Sequence, residues 1–489
     1  MSTEVVDGEW RVVRGRVGAL AGLALLSAGI VGCPFVDPGL NQDADVKDSV
    51  LKWNQIAVDT SGLDHAPLQP GETRAFGHQL GPTRSSRAMA IAHIAMFDAV
   101  NAIIQEYQSY TRLPAMDEPA SLPAAIAQAA HDALVSLYPS HAQRLDALLA
   151  DELDAIPAGL LRDNGVELGA AAAAAILRMR ESDGAEVAEP YESSPMPGRW
   201  RRDPINPNQE PLGEEWYHVQ PFAMNSVTQF RCPPPPDLAS AEYAAAYAEV
   251  LAIGGDGIVT PTIRTEEQTQ IGIFWAYDGT PSLCAPPRLY NQITRQIADE
   301  QGTAGTDTAR LLALVNVAMA DAGIACWDSK YHYDYWRPVT GIREADPGMG
   351  PTGLGDGNPD TIADPTYVPL CAPASNLAGP NFTPPFPAYP SGHATFGGAL
   401  FETLRAFYGR DDIAFTFVSD ELNGETRDHD GNVRPLVPRT FSSFSQAEEE
   451  NGQSRIYLGI HWSFDKTEGI RMGNRVADHV LTHVFQPLP

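Results

Sequence analysis

PAYPSGHATFGG, residues 387–398, changes character in its middle. Pro387 and Pro390 hold the chain extended as far as Ser391, because a proline fixes its own φ and disfavours helix in the residue before it. From Ser391 on, the residues are small or apolar and free of proline. Ser391 is a good helix N-cap, since its hydroxyl can accept a backbone N–H of the first turn. Gly392 has no Cβ, so a ligand can come close to its N–H. His393 falls in that first turn. The first N–H groups of a helix lack intrahelical partners and sit at the positive end of its dipole, so the stretch reads as an anion cradle. Alone, it reads equally well as a capped helix with a chance histidine.

On either side of this helix start, the apolar residues keep helical spacing. Helices are predicted over 86–107, 123–137, 141–156, 160–180, 240–252, 265–277, 287–301, 307–333, 444–458 and 465–485. Strand patterns are few and short, 413–418 being one. Residues 183–238 (with PINPNQEP and CPPPPD) and 346–390 are long and irregular, and such loops are either functional or packed over the core. The fold class expected is all-α, a helical bundle with long irregular loops. Residues 34–84 read as an N-terminal arm with one apolar patch at 50–58, and 85–489 as the helical catalytic domain.

The 489 residues are 43% hydrophobic, enough for a large core. They hold 62 acidic against 33 basic residues, a net charge of −29, which repels nucleic acid and anionic membrane and excludes both as partners. Residues 1–33 read as a signal peptide. Arg11, Arg14 and Arg16 precede the apolar stretch 17–32, which ends in a lipobox-like Ile30-Val31-Gly32-Cys33. This predicts export, either as a cell-envelope lipoprotein anchored through Cys33 or, with Cys33 incidental, as a secreted protein. Cys232, Cys284, Cys326 and Cys371 then remain, enough for up to two disulfides, and no CxxC pair points to a cysteine zinc site. No other stretch reads as a membrane span; 311–327 comes closest, and Asp321 interrupts it. His93 and Asp98 read as structural, and DHDGN at 428–432 as a solvated turn rather than a calcium loop.

Two further stretches carry chemistry. In KYHYDYWRP, 330–338, Lys330 and Arg337 are nearly two helical turns apart, so one helix can present both cations to an oxyanion before Pro338 ends it. In SRIYLGIHWSFD, 454–465, Asp465 lies four residues after His461 and can fix its tautomer, leaving one ring nitrogen free. Arg455 adds a third cation, and Gly459 lets the chain bend between Arg455 and His461. Taken singly, each stretch also fits a solvated helix face.

Together, and in this order, Lys-x6-Arg-Pro, Pro-Ser-Gly-His and Ser-Arg-x5-His-x3-Asp resemble the vanadium-dependent haloperoxidases. The related type 2 phosphatidic acid phosphatases carry the same set. The resemblance implies vanadate, vanadium(V), as cofactor. Its oxygens would be bound by Lys330, Arg337, Ser391, Gly392 and Arg455; His461 would be the axial vanadium ligand, oriented by Asp465. His393 would be the acid/base. Hydrogen peroxide and halide (chloride or bromide) would be the substrates and hypohalous acid the product. In an acid phosphatase the same residues would hold phosphate, with His461 as nucleophile. Three features resemble the chloroperoxidases: Phe386 seven residues before His393, Trp327 three before Lys330, and FWAYDG, 274–279, whose Asp278 would hold Arg455. The acidic, Gly-bearing insert DELNGETRDHDGN departs from that family.

Overall fold

The computed structural model describes residues 42–489 and, as backbone, residues 3–6 and 9–12. Two units are distinct, 1–41 and 42–489. In the first, β1 (Thr3–Val6) pairs antiparallel with β2 (Glu9–Val12). The apolar stretch 17–32 and Cys33, on which the export reading rests, lie outside the described residues.

The second unit is helical. Its elements are α1 (Gln42–Asp64), α2 (Gly81–Ile104), α3 (Leu122–Leu137), α4 (Ala142–Ala155), α5 (Leu160–Arg180), α6 (Ala241–Ile253), α7 (Glu266–Phe274), α8 (Pro286–Glu300), α9 (Gly305–Tyr333), α10 (Pro338–Arg343), α11 (Gly392–Tyr408), β3 (Phe415–Asn423), β4 (Leu436–Phe441), α12 (Phe444–Tyr457) and α13 (Ser463–His483). The all-α expectation holds. The stretch expected to be an arm differs, because α1 occupies 42–64. Val46, Val50, Trp53 and Ala57 make a buried stripe at helical spacing, which polar neighbours mask in the sequence.

At the centre runs α9. It is buried almost throughout from Gly305 to Lys330 and packs against α1, α2 and α8 as well as α11 and α13. By length and composition α2 and α9 are apolar enough to cross a membrane, contrary to the sequence reading, yet both are core helices here. Asp321, the interruption noted in α9, accepts the backbone N–H groups of Phe222, Ala223 and Met224 at 2.6, 2.8 and 2.8 Å. It thereby ties the irregular stretch 183–238 over the core. The four cysteines that could form up to two disulfides do not pair among the described residues: Cys232, Cys284, Cys326 and Cys371 are all buried and free.

Close packing of α13 on α11 sets up the site. A Cβ at Gly473 would lie 2.2 Å from the Thr395 carbonyl, and one at Gly469 2.8 Å from that of Ser391. Only glycine lets the two backbones touch there. This contact brings the start of α13 beside Ser391, whose N–H donates to the Asp465 carbonyl at 3.0 Å.

Candidate active site

The residues expected to bind the anion sit at or next to helix ends. Lys330 is in the last turn of α9, which stops at Tyr333 where Asp334 turns left-handed with φ +53°. Arg337 lies outside that helix, extended and capping α10. This corrects the expectation of a single helix carrying both cations. Pro338 keeps Arg337 out of the helical region, and the helix stops at Tyr333, where the periodic stretch 307–333 ends. The two cations still converge, because both grip the segment leading to Ser391. Lys330 Nζ donates to the carbonyls of Pro387, Ala388 and Pro390 at 2.7, 2.9 and 2.5 Å. Arg337 Nε donates to that of Phe386 at 2.9 Å. Burial pushes the Lys330 ammonium down to about 7, while three carbonyl acceptors suit its charged form.

Ser391 caps α11 as expected, accepting the Ala394 N–H at 3.4 Å, so its own hydroxyl proton remains free to donate. His393 is in the first turn, with Nε2 2.5 Å from the Ala276 carbonyl and 4.0 Å from Asp278 Oδ1. An acceptor at Nε2 puts the proton on that nitrogen. Burial and the nearby arginines push His393 well below the usual histidine range, so the ring is neutral.

His461 precedes α13, whose N-cap is Trp462, so the expected pairing within a helix is corrected to one across a helix start. Asp465 Oδ2 reaches back to His461 Nδ1 at 2.8 Å and to the Trp462 N–H at 3.0 Å. With Nδ1–H held, Nε2 presents its lone pair, and Arg337 Nη1 donates to it at 2.9 Å. Burial, with Arg337, Lys330 and Arg455 close by, keeps His461 neutral. Arg455 ends α12, and Gly459, with φ +71°, turns the chain towards His461. Asp278 takes both its hydrogen bonds from Arg455 Nη2, at 2.7 and 2.9 Å.

The guanidinium atoms left over decide what the site can hold. Arg337 Nη2 and Arg455 Nε and Nη1 are buried and have no acceptor. Unpaired cationic N–H groups are costly to bury, so three of them around a histidine lone pair and a helix N-terminus suit a compact oxyanion. Beside them is a cavity of about 50 Å³, lined by Asp278, Phe386, Gly392, His393, Arg455 and His461. Trp327 stacks tilted on Phe386, centroids 4.8 Å apart, and closes one wall. A larger groove of about 770 Å³ is lined by residues of α2, α3 and α5; of its three arginines, Arg87 and Arg180 are committed to Asp183 and only Arg178 is not.

The VCPO second helical-bundle domain family matches residues 310–488. The vanadium chloroperoxidase of Curvularia inaequalis is 33% identical, over 85% of this chain and 78% of its own length. The chain belongs to the vanadium chloroperoxidase-like family. Among solved structures, a bacterial vanadium-dependent iodoperoxidase superposes with a TM-score of 0.70 at 24% identity, covering 92% of this chain and 99% of that one. An apo-type bacterial vanadium-dependent chloroperoxidase gives 0.61 at 16% identity, covering 82% and 94%. These two share the fold.

Against that family background, the structure brings together every residue expected at the site. It also adds residues that no local signal marks. The Ala276 carbonyl meets His393, and Tyr290 Oη and Asn451 Nδ2 donate to the His393 carbonyl at 3.1 and 2.9 Å. Away from the site, His93 and Asp98 are structural as expected: Asn54 Nδ2 lies 2.9 Å from His93 Nε2, and Asp98 accepts the Tyr110 and Thr111 N–H groups. Asp428 holds its own turn through the Asp430 and Asn432 N–H groups, and among the described residues no cluster of acidic, His or Cys side chains suits a metal ion.

Proposed function

We propose that this chain is a vanadate-dependent haloperoxidase that oxidises halide with hydrogen peroxide to hypohalous acid, with chloride or bromide as the halide. The observation that carries the reading is the set of buried, acceptor-less donors on Arg337 and Arg455 around the His461 lone pair. Arg337 and Arg455 would hold the oxyanion with the Ser391 hydroxyl and the Gly392 N–H, while Lys330, whose three N–H groups are on carbonyls, would add its charge. Bound vanadate supplies a Lewis acid that activates peroxide.

Everything else falls to the chain's own groups. Asp465 keeps the His461 proton on Nδ1, so Nε2 is the atom that would be offered to the vanadate. His393 is neutral, with Nε2 near Asp278 and on the Ala276 carbonyl, so its Nδ1 could take a proton from an incoming peroxide and return one to the leaving oxygen. Asp278 offsets Arg455 and fixes which of its N–H groups remain for the anion. Phe386 and Trp327 present an apolar wall that strips water from an approaching halide.

The test is reconstitution of the purified, metal-stripped protein with orthovanadate. Monochlorodimedone chlorination and bromination, and iodide oxidation, are followed with peroxide from about pH 4 to 8. Hydrolysis of p-nitrophenyl phosphate is followed without vanadate. Vanadate-dependent halogenation is expected with bromide and chloride. Iodide oxidation alone would refute the halide assignment; robust phosphatase activity with no halogenation would favour the acid phosphatase alternative instead.

A further inference from the structure

The segment 274–278 serves the site three times. The Ala276 carbonyl sits at His393 Nε2, Tyr277 lines the cavity, and Asp278 pairs with Arg455. Its backbone is not at ease. Tyr277 has φ +46°, a left-handed conformation that a bulky side chain rarely adopts. Such a residue stays put only when its surroundings over-determine it.

Those surroundings come from the hairpin of β3 and β4, the part of the sequence that departs from the family pattern. Three consecutive β3 residues grip the segment. Ser419 Oγ donates to the Phe274 carbonyl at 2.6 Å, the Asp420 N–H donates to Tyr277 Oη at 2.6 Å, and Glu421 Oε1 accepts the Tyr277 N–H at 3.1 Å. The strand is itself anchored, because Asp420 Oδ2 accepts from Arg288 Nε and Gln292 Nε2 of α8, both at 2.9 Å. Glu421 is fully buried, with Oε2 accepting from Ser375 Oγ at 2.5 Å and from Arg434 Nη1.

We propose that Glu421 is a positioning residue for the oxyanion cradle: by holding the Tyr277 N–H it sets the Ala276 carbonyl at His393 and the Asp278 carboxylate at Arg455. The inference rests on the oxyanion reading above. A buried acid–base pair seldom stabilises a fold more than apolar residues of the same size. Burial also pushes the Glu421 carboxyl up to about 7 in spite of Arg434. Here the carboxylate supplies what an apolar side chain cannot, an acceptor for a strained backbone N–H beside the site.

Four full-length variants separate positioning from general stability, read by calorimetric titration with orthovanadate and with inorganic phosphate, and by thermal midpoint. Glu421→Asp is one methylene shorter and withdraws the acceptor from Tyr277, and is expected to weaken both anions about tenfold, as is Glu421→Ala. Glu421→Gln keeps a carbonyl oxygen for Tyr277 and should bind within about threefold of the parent even where its midpoint falls. Arg434→Met loosens the hairpin without touching Tyr277 and should lower the midpoint while leaving anion affinity within about twofold. Should Glu421→Ala fail to fold, Glu421→Asp against Glu421→Gln carries the comparison. The inference is overturned if Glu421→Asp binds like the parent, or if Arg434→Met weakens binding as much as Glu421→Asp does. If the parent chain itself takes up neither anion, the oxyanion reading fails, and this one with it.

Discussion

At the scale of the residue, the Asp465–His461 pair is the most exacting feature. Asp465 Oδ2 serves two donors, His461 Nδ1 and the Trp462 N–H, while Oδ1 has no partner. Burial pushes this carboxyl up to about 7. An Asp465→Ala side chain offers no oxygen to either donor. The imidazole then loses the anchor that fixes its tautomer. Orthovanadate affinity should fall about 10- to 100-fold, the usual loss when a partner behind a metal-bound histidine is removed. Titration calorimetry measures it, and an unchanged affinity would mean that Asp465 serves the α13 start alone. The spacing of His461 and Asp465 was legible in the sequence, because four residues bring two side chains together both within a helix and across its first turn. The part played by Lys330 was not. Its three N–H groups are taken up by carbonyls some sixty residues away, and nothing in KYHYDYWRP encodes those acceptors.

Among the elements, helices were easy to anticipate and their junctions were not. The periodic stretches 160–180 and 307–333 correspond closely to α5 and α9, since one apolar face per turn is a local signal. By contrast β3 reaches Asn423, beyond the expected 413–418, and its partner β4 went unanticipated. Pairing with residues twenty or more positions away leaves a weak mark in either strand. The junctions matter most where α12 meets α13. Arg455 and His461 come together at the site because Gly459 turns the chain with φ +71°, in a space where a Cβ would lie 2.4 Å from the Gly254 carbonyl. Gly459→Ala therefore meets both backbone strain and a clash with main chain. It should cost about 1–3 kcal/mol of stability, seen as a lower urea midpoint. Anion affinity should fall too, since the turn sets the separation of the two ligating groups. A stable variant with parental affinity would show that the junction tolerates other conformations.

For the molecule as a whole, the striped helices build a core that closes over uncompensated charge. Lys330, Arg337 and Arg455 are all buried, and the carboxylates nearest them are Asp278 and Asp465. The chain's net charge of −29 does little for these cations, because solvent screens the exposed part of it over about 10 Å. The folded chain thus carries a cationic centre that an oxyanion relieves and that the unfolded chain lacks. A ligand bound only by the folded state adds about 2.7 kcal/mol at a hundred times its dissociation constant. For a chain of this size that is a rise of roughly 3 °C in the thermal midpoint, given how unfolding entropy grows with length. Orthovanadate and inorganic phosphate should both produce it, whereas nitrate at matched ionic strength, planar and singly charged, should not. An Arg455→Gln variant should lose most of the rise, because two of the three waiting donors belong to Arg455. A rise that survives in Arg455→Gln would place the anion elsewhere on the protein and remove the link between the buried cations and binding.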